Sequence, residues 1–568
     1  MSRESPPHHR AHSGGNVLVV PALLSVLVVL CTTATHAAPP VITRLYPAGG
    51  QAGSTVVVNV TGKFGNAPVR IWCSRPAIKG TFAAKNKTAT LVVPAKERPG
   101  LCWLRFFNDD GASDLKAFLV GTLPEILETE PNDRLVKSQS ISGSAIVDGV
   151  VSKTGDVDTF AIPLKKGQTL VASMRANRVL GSPMDGILQI VSSRGFVLSQ
   201  NDDEHGFDPQ ITFTAPADGT FHVRVFAFPT KPNSSIRLAG AASYVYRLTV
   251  TTGPFIDHLS PLAVTRGTPL RVRLHGWNIP KMSASLVLSA SRSHEPLAIR
   301  YPTSFDALRL RIDSHATGIE REPNDMGHAQ RVTLPITITG HIGQPRDADV
   351  FRFTAKKGTK LAFRVEARSL GSPLDPVLRL FDSRGKSISR AETRSSTVID
   401  ETLNIAIRAD GEYRLEVADL HRRGGWRYVY RLTMSSPQPD FVLSVATDHF
   451  VLPVGKPLTI PVTVARRDGF RDDVDLSVAE LPPGVAITQV RSKSKGPTSK
   501  AVKLILRGKL PKLWNGPIRI EGRAVSQRTL RRLAEAPIAG LPQKTTHLWL
   551  TVRPAKPNTS AAKPRKKK

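Results

Sequence analysis

The sequence is poor in cysteine, in aromatic side chains and in acid. Three cysteines stand in 568 residues, too few for a disulfide-dense small-domain scaffold, and no histidine pair at ligand spacing accompanies them to complete a zinc centre. Aromatic residues make up 6%. None of the basic segments carries the interleaved aromatics on which single-stranded nucleic acid stacks, so a specific nucleic-acid function is unsupported. The 46 acids face 78 Lys and Arg, a formal net charge of +32, and such an excess favours contact with polyanions. Catalytic words are also missing. None of the 15 histidines lies in H-E-x-x-H, and there is no G-x-S-x-G elbow and no G-x-x-x-x-G-K-[ST] loop,. Neither Cys73 nor Cys102 stands in a cysteine-protease signature. Scattered residues such as Asp218 and His222 can still meet through space, but the expectation is a protein that is not an enzyme.

What is present points to strands. Forty per cent hydrophobic residues, 42 Gly and 44 Pro, with short Val/Ile/Leu/Thr runs between the turn residues, predict an all-β chain built as a tandem array of about five β-sandwich domains, jelly-roll-like and Ig-like. Ahead of them, Arg3 and Arg10 precede an apolar run at 17–30, and small residues close the segment at Ala37. That is the pattern of an export signal cut after about residue 37. A lipoprotein signal at Cys31 and an uncleaved anchor are the alternatives. Past residue 37, no segment is long and apolar enough to span a bilayer. The expected location is therefore periplasmic, cell-surface or extracellular. In such a compartment the even pair Cys73 and Cys102 predicts a disulfide, adding about 3 to 4 kcal/mol in the chain-entropy view; two buried free thiols are the alternative. The last six residues read KPRKKK, a solvated end or an attachment to acidic envelope polymers.

A duplication organises the chain. ETEPND at 128–133 returns as EREPND at 320–325. GDVDTF at 155–160 is echoed by RDADVF at 346–351, and Lys-Lys-Gly follows at 165–167 and 356–358. GSPMD (181–185) matches GSPLD (371–375), SRG (193–195) matches SRG (383–385), and an Asp-Gly turn before an aromatic recurs at 218–219 and 410–411. Both units close on YVYRLT, at 244–249 and 428–433. Order and spacing agree throughout, so one unit of about 120 residues occurs twice.

These words, in this order, resemble the bacterial pre-peptidase C-terminal domain, and the resemblance covers 124–252 and 318–436. It implies a calcium-associated β-sandwich of the kind found beside the catalytic domains of secreted peptidases and related to collagenase collagen-binding domains. The segments 38–123 and 253–317, with their P-x-I-x-x-L-x-P openings and following glycines, resemble IPT/TIG Ig-like domains, the second more weakly. Segment 437–553, with its LPPGV turn at 481–485, resembles bacterial Ig-like domains. The predicted order is a signal peptide at 1–37, these five domains, and a basic tail at 554–568.

The acidic words carry the chemistry. In extended chain, residues i and i+2 share a side, so Glu128 with Glu130, and Asp156 with Asp158, form two forks of oxygen ligands. Pro131 fixes its own φ and lacks an N–H, which lets Asn132 and Asp133 turn without breaking a ladder. Converging carboxylates repel unless a cation neutralises them, and an all-oxygen set that is not strictly octahedral favours Ca²⁺ over Mg²⁺. The resemblance implies the same metal on Glu128, Glu130, Asn132, Asp133, Asp156 and Asp158. In the second unit it implies Glu320, Glu322, Asn324, Asp325, Asp347 and Asp349, where Arg321 and Arg346 intrude. The bland alternative is a solvated interdomain turn. The loop at 201–208, NDDEHGFD, lacks EF-hand spacing and reads as a solvated hairpin loop.

Function is expected to be a calcium-stabilised, exported, non-catalytic protein that binds extracellular or envelope protein or polysaccharide. A structural spacer of the envelope and an accessory or diverged part of a secreted peptidase are the alternatives. A binding module should gather exposed aromatics on one surface. Trp277, Trp426 and Trp514 fall in different predicted domains, and Phe226, Phe228 and Pro229 suggest one loop face, with core burial the alternative for any one of them.

Overall fold

Along Leu458–Arg467 the side chains of Ile460, Val462 and Val464 are buried while the residues between them are exposed, the period-2 pattern of a strand with one wet face. The closing strand Val245–Thr251 is instead buried at every position. It lies in the middle of its sheet, and the outer face of that sheet is covered by side chains from the segments before and after it: Tyr46 and Ala48 pack on Val150 and Val245, and Phe255 packs on Ile146 and Val171. These are two ways of satisfying a short strand, and both recur along a chain that is nearly all β.

The computed structural model describes residues 38–553, except 230–236, 282–283, 289–296, 300–307, 393–399, 454, 509 and 511. The expected export signal and basic tail lie outside the described residues. Five sheet systems follow one another, each with its own apolar core. Residues 41–121 form a four-stranded sheet facing a second sheet across Val58, Leu91, Leu104, Phe106 and Phe118. Residues 125–251 form two five-stranded sheets. One runs Glu125–Leu127, Ala145–Val150, Val245–Thr251, Thr169–Arg175, Gln210–Thr214 in spatial order. The other runs Gln139–Ser140, Asp158–Leu164, Gly219–Pro229, Met184–Val191, Val197–Asn201. The strands at 316–435 repeat both orders strand for strand, so the duplicated words are a duplicated fold. Between them, residues 255–313 make two small three-stranded sheets.

The fifth system is one hydrogen-bonded network of 11 strands rather than two separate sheets. Its long strand Trp514–Ala524 pairs with Leu548–Val552 over the first half and with Val474–Ala479 and Arg531–Pro537 over the second, so it belongs to both faces. Gly522 permits this, because a Cβ there would lie 2.7 Å from Leu443 Cδ1 in the core.

The array does not extend in a line. Arg105, from the first system, is fully buried against Asp448 of the fifth, with Nη2 to Oδ2 at 2.9 Å, and it also donates to the carbonyls of Ser113 and His547. Trp549 lies 4.9 Å from the Phe107 ring and 5.8 Å from that of Trp72. Gln543 Nε2 donates to the Arg178 carbonyl of the second system. A second junction joins the second, third and fourth systems: Arg427 pairs with both Glu204 and Asp257 and lies over the Trp277 ring, whose centroid is 5.2 Å from that of Trp426. The tryptophans of separate domains thus meet at a domain boundary. Trp514 stays apart, against the fifth core.

Cys73 and Cys102 also correct the sequence reading. They are buried neighbours on adjacent strands, but their Sγ atoms stand 3.6 Å apart, against about 2.05 Å for a disulfide. The structure holds two thiols; the Cys102 thiol is raised by its hydrogen bond with Cys73 and by burial.

Candidate metal centre in the duplicated sandwiches

Glu125–Leu127 pairs in parallel with Ala145–Val150, and one further hydrogen bond, Glu128 N to the Asp148 carbonyl, carries the chain to the first acid of the word. Glu128 then turns its carboxylate inward, with Oε1 accepting from Val150 N at 2.7 Å. After a cis Glu130–Pro131 bond, Asn132 is fully buried and its N–H donates to Glu130 Oε2 at 3.0 Å. On the facing sheet, Asp158 opens the strand Asp158–Leu164 and Asp156 stands two residues before it. Both are fully buried. Val157 between them points into a separate apolar cluster with Ile187 and Phe226, which is the alternation the sequence predicted.

Glu130, Asp156 and Asp158 each bring one oxygen within 4.8 Å of the others. Glu128 stands one bond removed: Tyr246 Oη donates to Asp158 Oδ2 at 2.7 Å and is 3.2 Å from Glu128 Oε2. Asp156 Oδ2 accepts from the backbone and hydroxyl of Ser152. Asp133 adds negative charge near Glu130 but supplies no atom to the convergent trio.

The centre is short of hydrogen-bond partners. Asn132 Oδ1 and Nδ2, Asp156 Oδ1 and Asp158 Oδ1 are buried with no partner, and an unsatisfied buried polar atom costs about 1 to 3 kcal/mol. Burial and the neighbouring Glu128 charge push the Asp158 carboxyl up to about 10, and burial lifts Glu128 to about 7. Left to itself the site holds protons. A hard cation accepting several oxygens would satisfy the orphaned acceptors and return the acids to their ionised form, so the residues present fit Ca²⁺.

The family model for the bacterial pre-peptidase C-terminal domain matches residues 156–227 and 347–419. Both duplicated sandwiches are pre-peptidase C-terminal domains. Each match starts at the first aspartate of the acidic strand fork, so the E-x-E-P-N-D acids precede the matched core. A probable subtilase-type serine protease of Deinococcus radiodurans is 35% identical over 98 residues, 17% of this chain and 14% of that protein. The chain thus spans a small fraction of that relative's length. Among solved structures, the pre-peptidase C-terminal domain of a Bacillus anthracis collagenase is matched over its whole length and 20% of this chain, at 18% identity and a TM-score of 0.16. A periplasmic inhibitor of g-type lysozyme from Aeromonas hydrophila is matched over 97% of its length and 22% of this chain, at 15% identity and a TM-score of 0.15. At these scores neither likeness bears on ligand or activity.

In the second pre-peptidase C-terminal domain the trio is Glu322, Asp347 and Asp349, and Tyr430 Oη donates to Asp349 Oδ2 at 2.5 Å and lies 3.3 Å from Glu320 Oε2. Burial and the Glu320 charge push Asp349 up to about 9. Here, however, Glu320 Oε1 accepts from both the backbone and the imidazole Nδ1 of His341. Asp325 is exposed and uses Oδ1 on the Gly327 and His328 backbone; it closes the turn and does not reach the trio.

Tyr246 and Tyr430 escaped the sequence reading, although the repeated YVYRLT word marked them. So did Val150 and His341, which only strand pairing brings to the acids. In the 201–208 loop, Asp208 is buried and accepts from the backbone of residues 176, 177 and 178, and Glu204 reaches Arg427. The loop is a docking element as well as a turn, which corrects the solvated reading. Asp218 pairs with Lys165 and the Lys166 backbone and is not held by His222.

Proposed function

We propose that this chain is an exported, non-catalytic, multidomain binding protein whose first pre-peptidase C-terminal domain is stabilised by Ca²⁺, and that its target is an extracellular or envelope protein or polysaccharide. The observation that carries the calcium reading is the set of buried, unpartnered atoms on Asn132, Asp156 and Asp158 around the Glu130 carboxylate. Glu130, Asn132, Asp156 and Asp158 would hold the ion, Glu128 and Tyr246 would orient them, and the bound ion would supply charge neutralisation and rigidity. Absence of enzymatic activity is supported by the accessory character of the two matched domains and by β-sandwich segments filling the rest of the described chain. Export is supported by the N-terminal sequence pattern. No helix among the described residues is long and apolar enough to cross a membrane.

Binding is favoured over an extended spacer by the return of the fifth system onto the first, since a chain that sets distance gains nothing from doubling back. Attachment of the basic tail to acidic envelope polymers remains part of the proposal as a retention device.

Calorimetry of the full chain with Ca²⁺ and with chelator tests the metal. Ligand at 100 times its dissociation constant should add about 2.7 kcal/mol to the transition that binds it. Identical thermograms would overturn the calcium reading. A glycan and matrix-protein array, probed with the calcium-loaded protein, then tests the binding reading, and silence across both classes would leave the spacer.

A further inference from the structure

We infer that the two pre-peptidase C-terminal domains have parted in what neutralises their acids: the first accepts one Ca²⁺, while the second is closed without metal by His341 and Asn324. For the first copy this rests on the calcium reading above; for the second it departs from it.

The comparison is internal to one molecule. Glu128, Glu130, Asn132, Asp156, Asp158 and Tyr246 correspond to Glu320, Glu322, Asn324, Asp347, Asp349 and Tyr430, and in each copy three carboxylates converge. The neighbours differ. Val150, whose backbone alone serves Glu128, is replaced by His341, whose imidazole also contacts Glu320. Ser152, which binds Asp156 Oδ2 through two donors, is replaced by Gly343, which gives only its N–H to Asp347 Oδ2 at 2.7 Å.

What decides the matter is where the lone pairs go. In the first copy Asp156 Oδ1, Asp158 Oδ1 and both ends of the Asn132 amide are buried and unpartnered, so oxygens beside the convergent carboxylates have no donor from the protein. In the second, Asp347 Oδ1 takes the Ala348 N–H at 2.9 Å and Oδ2 takes Gly343. The Asn324 amide, turned so that both its ends are satisfied, donates from nitrogen to Glu322 Oε2 at 3.2 Å and to Asp349 Oδ1 at 3.0 Å. A donor therefore sits between two of the three carboxylates. A cation entering there would meet N–H where it needs oxygen and would have to turn the amide, and Glu320 beside the trio is already engaged by the His341 imidazole,.

The test is the number of calcium ions bound by the full chain, read by isothermal titration and by native mass spectrometry after exhaustive chelation. One ion per chain is expected. It should be lost in Asp156→Asn and kept in Asp347→Asn. His341→Val, which restores the first copy's residue, should raise the count toward two or add a weaker second site. No ion bound to the wild-type chain would sink the proposed function itself. Two ions in the wild type, or loss of the single ion in Asp347→Asn, would overturn this inference and leave the calcium reading standing. A His341→Val chain that still binds one ion would remove His341 from the account. The wild-type count needs no variant to fold, and circular dichroism checks each variant before titration.

Discussion

Arg105 and Asp448, 343 positions apart in the chain, meet in a two-pronged pair, and the arginine is wholly buried where they meet. The pair is lodged among hydrogen bonds to the Ser113 and His547 carbonyls, with the Trp549 ring 5.9 Å from the guanidinium carbon. Burying two charges is costly in itself, and losing one partner is costlier, because the survivor stays desolvated.

Arg105→Leu should therefore weaken the closure by about 3 to 5 kcal/mol, more than the pair contributes net. Leucine at both positions should recover much of the loss. Intrinsic fluorescence from Trp72 and Trp549 during urea unfolding reads this junction, and a single variant that melts with the wild type would show that the closure does not depend on the pair.

The acidic centre makes stability depend on pH. Glu128 and Asp158 hold protons more tightly folded than unfolded, with folded values of about 7 and about 10, whereas a free carboxyl titrates near about 4. The site's contribution is full below that lower value and is lost as pH rises through the folded ones. In chelator, the melting temperature of the first pre-peptidase C-terminal domain should fall between about pH 5 and about pH 9, and the shift produced by Ca²⁺ should widen over the same range. Scanning calorimetry at both ends checks this; an equal calcium shift at both would contradict it.

Tyr246→Phe removes one hydroxyl that bridges Asp158 and Glu128. The loss should cost about 1 to 3 kcal/mol in the metal-free chain and weaken calcium binding about 10- to 100-fold, as the loss of an outer-shell partner does. Tyr430→Phe should destabilise its own domain similarly yet leave calcium affinity unchanged. Titration of the two variants side by side separates a ligand-orienting role from a general packing role.

At the second junction, Arg427→Ala frees Glu204 and Asp257 and uncovers Trp277. Trp277 and Trp426 should then emit to the red, and limited proteolysis should cut more readily in the 201–208 loop. Unaltered emission and cleavage would mean that Arg427 does not hold the three systems together.

Much of this was legible in the order of residues. Period-2 burial in Leu458–Arg467 and the paired words EPND, SRG and YVYRLT are local signals, and they gave the strand class, the duplication and the convergence of Glu130, Asp156 and Asp158. The contacts that close the molecule carry no such signal. Nothing beside Arg105 announces Asp448, and Trp277 and Trp426 look unrelated until two domains meet. The difference between the two acidic centres was half visible. Arg346 drew attention in sequence, but it is exposed, whereas His341 acts through the pairing of Ile336–His341 with Val429–Ser435, which brings it beside the Tyr430 end of the site. The expected disulfide failed on distance, which two cysteines cannot declare from their spacing alone.

Both limits of the described chain come to one small hairpin. Asn108 Nδ2 donates to the carbonyl of Ala38, and Arg553 Nη2 donates to the carbonyl of Asp110. The described chain therefore enters and leaves its sandwiches through one doorway, at the seam where the first and fifth systems meet.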